Sequence, residues 1–353
     1  MSATPAEKTS DKITGKIPGR IPGRIAVLAG GMGGARFLQG LLRLVGTGPD
    51  APVITVISNT GDDIWVHGLK VCPDLDTVMY TLGDGIDPER GWGRRAETWN
   101  AKEELAAYGV EPTWFGLGDR DIGTHLVRTQ MLEAGYPLSQ VTEALCRRWQ
   151  PGVRLLPMTD DRVETHVAID DPDAPSGQRV VHFQEYWIRL RAEVPARAVF
   201  VVGNDQATAG PGVLDAIADA DVVVLPPSNP VVSVGTILGV PGVRDAVQST
   251  SAKVVGLSPI VGGSHVRGMA NQLLQCIGVP VSADGVALHY GARNAEGHGA
   301  DGVLDGWLVD ESDAATVTVV EQAGIACRAI PLMMTDHDAT AAMAQAAFDL
   351  VLT

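Results

Sequence analysis

From residue 25 onward the chain alternates between short apolar runs and longer stretches where apolar residues recur every three or four positions. Residues 25–29, I-A-V-L-A, contain no polar position. A half-solvated strand would alternate with a period of two, so an unbroken run suits a strand covered on both faces. Residues 35–45 instead place Phe37, Leu38, Leu41, Leu42 and Leu44 at helical spacing. Residues 53–57 return to an apolar run. Such a strand–loop–helix–strand unit makes a right-handed crossover in a parallel sheet. Runs at 198–202, 222–225 and 254–257 are each followed by a polar or Gly/Pro loop and a helical pattern. The repetition predicts an α/β fold with a Rossmann-like, doubly wound, mostly parallel sheet. A last helix is expected over 337–350, with Thr335 and Asp336 as N-cap candidates.

Two regions interrupt this rhythm. Residues 95–150 read as mostly helical, and 165–169 with 179–183 flank a Pro/Asp/Ser/Gly turn that suggests an antiparallel hairpin. The span 95–190 is therefore expected to be an insertion or cap on one α/β domain covering 25–353. Residues 291–302 are glycine-rich and expected to be mobile; 302–309 and 316–320 could be strand or helix. Residues 1–24 carry Lys8, Lys12, Lys16, Arg20, Arg24 and a tandem I-P-G-R, with little to pack. They are expected to be a disordered basic extension.

Composition narrows the classes. The chain has 353 residues and a net charge of −15, which repels nucleic acid. No apolar run approaches the ~20 residues that cross a bilayer, and the polar start lacks a secretory signal. A cytoplasmic protein with no membrane partner is expected. Cys72, Cys146, Cys276 and Cys327 are far apart, so neither a zinc site nor a disulfide framework is indicated.

Candidate chemistry begins at A-G-G-M-G-G-A-R, residues 29–36. Gly30, Gly31, Gly33 and Gly34 would let the backbone turn sharply and approach a ligand. Amides at the following helix N-terminus suit a phosphate, and Arg36 could add a charged hydrogen bond. The run is no P-loop. It also breaks G-x-G-x-x-G, because counting from Gly31 the last position falls on Arg36, and the second strand ends in Ser58-Asn59 rather than an acidic residue. An NAD-dependent oxidoreductase is thereby disfavoured. The competing structural reading is a turn that serves tight helix–sheet packing alone.

Just beyond the second strand lies S-N-T-G-D-D-I-W-V-H-G-L-K-V-C-P-D-L-D-T, residues 58–77. Asn59, Asp62 and Asp63 should sit beside the glycine loop, because ligands bind beyond the carboxyl ends of such strands. Carboxylates beside a diphosphate repel it unless a cation is shared, and Mg²⁺ takes one or two carboxylates plus phosphates. Asp74 and Asp76 could equally be helix-start residues. Other loops expected on the same edge are 117–121, with Asp119 and Arg120 ahead of a helix carrying His125 and Arg128; 226–230, where Ser228 or Asn229 could cap a helix opening near 231 and Asn229 could meet a base edge; 258–264; and 335–336.

In order along 25–353, G-G-M-G-G-A-R, S-N-T-G-D-D-I-W, P-D-L-D-T-V-M-Y, G-L-G-D-R-D, P-M-T-D-D-R, H-F-Q-E-Y-W, P-P-S-N-P-V-V-S-V-G, S-P-I-V-G-G and L-M-M-T-D resemble the phosphoenolpyruvate/2-phospho-L-lactate transferases of coenzyme F420 biosynthesis. The spelling is most similar to the actinobacterial branch. The resemblance implies an enolpyruvyl-diphospho-guanosine donor (lactyl in archaeal relatives), the deazaflavin Fo as acceptor, release of GMP, Mg²⁺ as cofactor and a homodimer. It implies Asp63 and Asp62 as the catalytic carboxylates, with Asp63 contacting the deazaflavin and the metal and orienting or deprotonating the attacking hydroxyl. Asp62 and Asp76 would be metal or supporting partners. Gly31, Gly33 and Gly34 would cradle the diphosphate, with Ser228 and Asn229 on the guanosine side and Asp119 and Arg120 near the deazaflavin. Trp65 and Trp187 could pack on the ring; Met131 reads as core, and His125 and His166 as structural. The alternative of another class is a non-catalytic UDP-sugar-binding regulator with a similar glycine loop and S-N-P motif.

Overall fold

The first apolar run forms strand β1 (Arg24–Ala29), and helix α1 (Gly31–Val45) follows directly after Gly30. Strand β2 (Val53–Ser58) pairs parallel with β1. The computed structural model describes residues 20–266, 268–293 and 302–352. A short hairpin, β3 (Ile64–Val66) with β4 (Leu69–Val71), leads into α2 (Pro73–Leu82). Helices α3 (Asn100–Ala107), α4 (Asp119–Glu133) and α5 (Leu138–Trp149) come next, then β5 (Arg154–Pro157), which pairs parallel with β2. Strands β6 (Glu164–Asp170), β7 (Gln178–His182) and β8 (Ala196–Val202) form a separate antiparallel sheet with β6 in the middle. Alternation then resumes through α6 (Val213–Ala218), β9 (Val222–Leu225), α7 (Val234–Gly239), α8 (Val243–Ser249) and β10 (Lys253–Leu257). A small hairpin, β11 (Ile260–Val261) with β12 (Ser264–His265), precedes α9 (Ala270–Cys276) and α10 (Ala283–Tyr290). The chain closes with β13 (Gly306–Asp310), α11 (Val317–Gln322), β14 (Ala326–Ile330) and α12 (His337–Val351).

The central sheet runs β14-β13-β10-β9-β1-β2-β5, with every pairing parallel. From β1 the chain winds one way to β2 and β5, then crosses to β9 and continues the other way, so the order reverses between β1 and β9. β1 explains its own sequence. Ala26 and Leu28 join a core with residues of α6 to α10. Ile25, Val27 and Ala29 join the opposite core with α1, α2 and α12. Each fully buried aliphatic side chain contributes roughly 1.5–3 kcal/mol, which is why no polar residue fits in the run. Asp336 caps α12 as expected, accepting from the Ala339 amide at 2.8 Å.

Two expectations change. Residues 198–202 are not a parallel strand; they lie in β8, antiparallel to β6, with Phe200 and Val202 exposed between more covered neighbours. Solvated apolar residues hid the period of two. The span 95–190 is not one continuous cap either, because β5 falls inside it and forms the edge of the central sheet. The ambiguous pieces resolve as strand at 306–310 and helix at 317–322. The expected tail at 1–24, apart from residues 20–24, and most of 291–302 lie outside the described residues. No described helix is long and apolar enough to cross a membrane.

Candidate active site

A cavity of about 1040 Å³ opens at the carboxyl ends of the central strands. Gly30 to Gly33 reach it after β1, Asp62 and Asp74 after β2, Pro227 to Asn229 after β9, Ser258 and Pro259 after β10, and Leu332 to Met334 after β14. It straddles the point where strand order reverses, the position at which open α/β sheets bind ligands.

The glycine turn does two jobs. α1 begins at Gly31, so the glycines form its first turn rather than a loop, and no side chain of its own N-cap residue closes it. Gly31 has φ +63°, a left-handed conformation that favours glycine. Gly33 and Gly34 are small for packing. A Cβ on Gly33 would lie 2.2 Å from the Pro227 carbonyl oxygen, and one on Gly34 would lie 2.7 Å from Ser228 Oγ. Ser228 ties the strands together: its Oγ donates to the Gly30 carbonyl at 2.8 Å and accepts from the Gly30 amide at 3.3 Å. The packing reading therefore holds for Gly34, which does not line the cavity, while Gly31 and Gly33 do.

The aspartates separate into two kinds. Asp63 is buried; its Oδ2 meets Lys70 Nζ at 3.2 Å and accepts from Cys72 Sγ at 3.0 Å. Burial pushes the Asp63 carboxyl up while Lys70 pulls against it, and the Asp63 charge holds the Lys70 ammonium above its usual value despite burial. Asp76 is paired with the buried Arg128 guanidinium. Asp62 and Asp74 have no such cation. Burial, then the Asp74 charge, pushes Asp62 well above the carboxylate range, and burial pushes Asp74 to about 6. Both line the cavity, and Asp62 Oδ1 is buried without a hydrogen-bond partner. Asp74 accepts from Asn59 Nδ2 at 2.9 Å and from the Gly31 amide. It is thus more than the start of its own helix: it also holds the start of α1. The antiparallel sheet braces this loop, with Gln184 Nε2 donating to the Asp62 carbonyl and His182 Nε2 3.2 Å from the Asp63 carbonyl.

The cavity also has an aromatic wall, contributed by Tyr80, Trp92, Trp99, Trp114, Phe115 and Trp187. Arg90 lies over the Trp92 and Trp99 rings, 5.3 and 5.4 Å from their centroids. A polar chain runs behind: Tyr80 donates to Asp121 at 2.6 Å, His125 lies between Asp121 and Arg128, and Arg128 reaches Asp76.

Measured against the sequence expectations, Gly31, Gly33, Arg36, Asp62, Asp76, Trp187, Ser228 and Asn229 border the cavity. Asn59 is buried behind Asp74 as a brace. Asn229 does not cap a helix at 231; α7 opens at Val234, and Asn229 Oδ1 accepts from the amides of Val231 and Val232. Asp63 does not line the cavity. Trp65 is 45% exposed on the short hairpin, away from it. Asp119 and Arg120 also stand outside. The Asp119 carboxyl is held at about 2 by donors from Thr98, Ala101 and Asn100, which secure the start of α3, and Arg120 points to solvent. Asp62, Asp63 and Asp76 do not converge as a metal cage: among the described residues no group of three or more His, Cys, Asp or Glu side chains could hold a metal. Met131 packs on the core, and His166 lies outside the cavity. Sequence reasoning placed the loop 117–121 on this edge but singled out neither Tyr80 nor Asp121, and read His125 as structural; all three border the cavity. The signal was available in helical spacing, since Asp121–His125 and Asp76–Tyr80 are i,i+4 pairs.

This combination defines a Rossmann-like protein with a ligand cleft at the switch point of its sheet. Residues 25–344 match the family model for the 2-phospho-L-lactate transferase CofD. Phosphoenolpyruvate transferase of Streptomyces griseus is 65% identical over 324 residues, covering 92% of this chain and 97% of that protein. The protein of the same name from Mycolicibacterium smegmatis is 59% identical over 329 residues, covering 92% and 97%. A crystal structure of a UPF0052-family protein from Bacillus halodurans shares the fold, with a TM-score of 0.58, 18% identity and coverage of 92% and 99%. The chain belongs to the CofD family of transferases.

Proposed function

We propose that the protein transfers the phosphoenolpyruvyl group of enolpyruvyl-diphospho-5'-guanosine to the terminal ribityl hydroxyl of Fo. In this reaction the hydroxyl oxygen bonds to the distal phosphorus and gives up its proton, the bond from that phosphorus to the bridging oxygen breaks, and GMP leaves on that oxygen, with dehydro coenzyme F420-0 formed. The observation that carries the reading is one cavity that joins the glycine-rich N-terminus of α1 to an aromatic wall. The α1 amides suit the diphosphate, and Trp and Tyr faces suit a planar deazaflavin. Close relatives named phosphoenolpyruvate transferase support the enolpyruvyl donor over the lactyl one.

Mg²⁺ belongs to the same proposal. Asp62 and Asp74 fit it, being neighbouring carboxylates without a cation, one with an orphaned oxygen, beside the helix start. Mg²⁺ usually uses one or two carboxylates plus substrate phosphates, so a three-residue cage is not required. Bound there, it would neutralise charge on the diphosphate. The chain's own residues do the rest. Gly31 and Gly33 admit the phosphates closely, Ser228 fixes the turn, and the aromatic wall aligns the acceptor and excludes water, which is most of what phosphoryl-type transfer needs. A homodimer is expected and is checked by light scattering.

The test is product mass and GMP release from Fo with each donor, with and without chelator. The expected product carries the enolpyruvyl mass, and Asp62→Asn lowers turnover at least a hundredfold with a melting temperature no lower than that of the wild type. Full activity after exhaustive chelation would remove the metal. Stabilisation by a UDP-sugar but not by Fo or GDP would replace this reading with the regulator.

A further inference from the structure

Three consecutive carbonyls of the acidic turn are taken by the antiparallel sheet. The Gly61 carbonyl accepts from the Thr165 amide of β6 at 2.6 Å, and the Asp62 carbonyl from Gln184 Nε2 at 3.2 Å. The Asp63 carbonyl lies 3.2 Å from Nε2 of His182, the last residue of β7. The turn's own bonds are few: the Asp63 amide donates to the Thr60 carbonyl at 3.2 Å, and the Gly61 amide to Asn59 Oδ1 at 2.8 Å. His182 Nδ1 lies 3.1 Å from the Gln184 backbone amide. An amide only donates, so Nδ1 accepts and carries no proton. The ring is neutral, its proton sits on Nε2, and Nε2 donates to the Asp63 carbonyl. The imidazole is thus fixed at both nitrogens, and it also anchors the backbone of Gln184, the neighbouring donor.

Asp62 and Gln184 line the cavity, whereas His182 does not. His182 therefore has no ligand to touch there. What it can fix is the backbone from which the Asp62 carboxyl projects. That carboxyl is paired with no cation, and its Oδ1 has no hydrogen-bond partner, so its direction depends on its own backbone. Hydrogen bonds behind a metal-binding carboxylate set how the ligand is aimed. Resting on the proposed reaction and its use of Asp62 for the cation, we infer that His182 is a positioning residue for the transfer. Its Nε2–H holds the Asp62–Asp63 turn through the Asp63 carbonyl, so that the Asp62 carboxyl meets the cation and the diphosphate. The role belongs to the N–H rather than to the bulk of the ring, and it concerns the metal and donor rather than Fo.

The experiment compares wild type with three variants. His182→Gln places an amide donor where Nε2 stood, His182→Asn keeps only an acceptor where Nδ1 stood, and His182→Phe keeps a ring with neither. Turnover and KM for Fo are measured, together with Mn²⁺ affinity in the presence of GDP by electron paramagnetic resonance. His182→Phe and His182→Asn are expected to lower kcat and Mn²⁺ affinity about tenfold or more, with KM for Fo within twofold, and His182→Gln to recover most of both losses. Wild-type Mn²⁺ affinity in His182→Phe overturns the inference whatever its turnover, as does a loss in His182→Gln equal to that in His182→Phe. A second measurement needs no variant to fold. Nitrogen-15 spectra of histidine-labelled wild type should show the His182 proton on Nε2, the ring being assigned by its contact with His166, whose centroid is 5.5 Å away. A proton on Nδ1 overturns the inference and leaves the transferase reading intact. Failure of the wild type to bind Mn²⁺ with GDP overturns the metal in the proposed function first, and this inference with it.

Discussion

At the scale of single residues, the four aspartates of the 58–77 stretch are two compensated charges and two uncompensated ones. Their number was legible; their division was not, because it depends on where cations come to rest. Arg128 reaches Asp76 across 52 residues, and nothing in P-D-L-D-T announces that partner. The residue that motif matching favoured, Asp63, is buried against Lys70, whereas the less favoured Asp74 faces the cavity. Removing the Lys70 charge should expose the difference. Lys70→Met is expected to destabilise by about 3–5 kcal/mol by stranding Asp63, and adding Asp63→Asn should restore most of it; urea unfolding of the single and double variants checks both. Asp74 gives a pH signature. Its carboxyl sits at about 6 when folded against an ordinary 3.8, so the folded chain keeps a proton that the unfolded chain releases in that window. The burial penalty is absent below 3.8, grows as pH rises, and is complete above 6. Asp74→Asn should therefore be more stable than wild type by about 1–3 kcal/mol at pH 8, with the gain disappearing near pH 4. A gain that persists unchanged at pH 4 would remove the charge as its cause.

At the scale of elements, the helical and apolar patterns located α1, β1, β2 and α12 because each faces a dry core and can carry few polar residues. β8 misled because one of its faces is wet yet still apolar. The glycine turn was visible as unusual, but only half its reason could be read. Its other half is the β9 loop, 198 residues away at the Gly30–Ser228 contact. Gly33→Ala tests the packing half. With the Pro227 carbonyl in the way, the two strand ends must separate, and a loss of about 1–3 kcal/mol is expected together with weaker GDP binding. Unchanged unfolding and unchanged GDP affinity would mean that the turn has slack that the 2.2 Å approach does not suggest.

At the scale of the molecule, the doubly wound sheet could be anticipated, and with it the edge where ligands bind. The aromatic wall could not. It is assembled from 80–188, where periodicity gives helices and a hairpin but not their placement over the cleft. The lining of the cavity thus has two origins in the chain: the loops after β1, β9, β10 and β14, and the segment between β2 and β8, which carries the aromatic side chains. On the proposed placement of the substrates, substitutions within the aromatic segment would change which acceptor is taken and leave donor binding as it is, so the two choices would be separable by engineering.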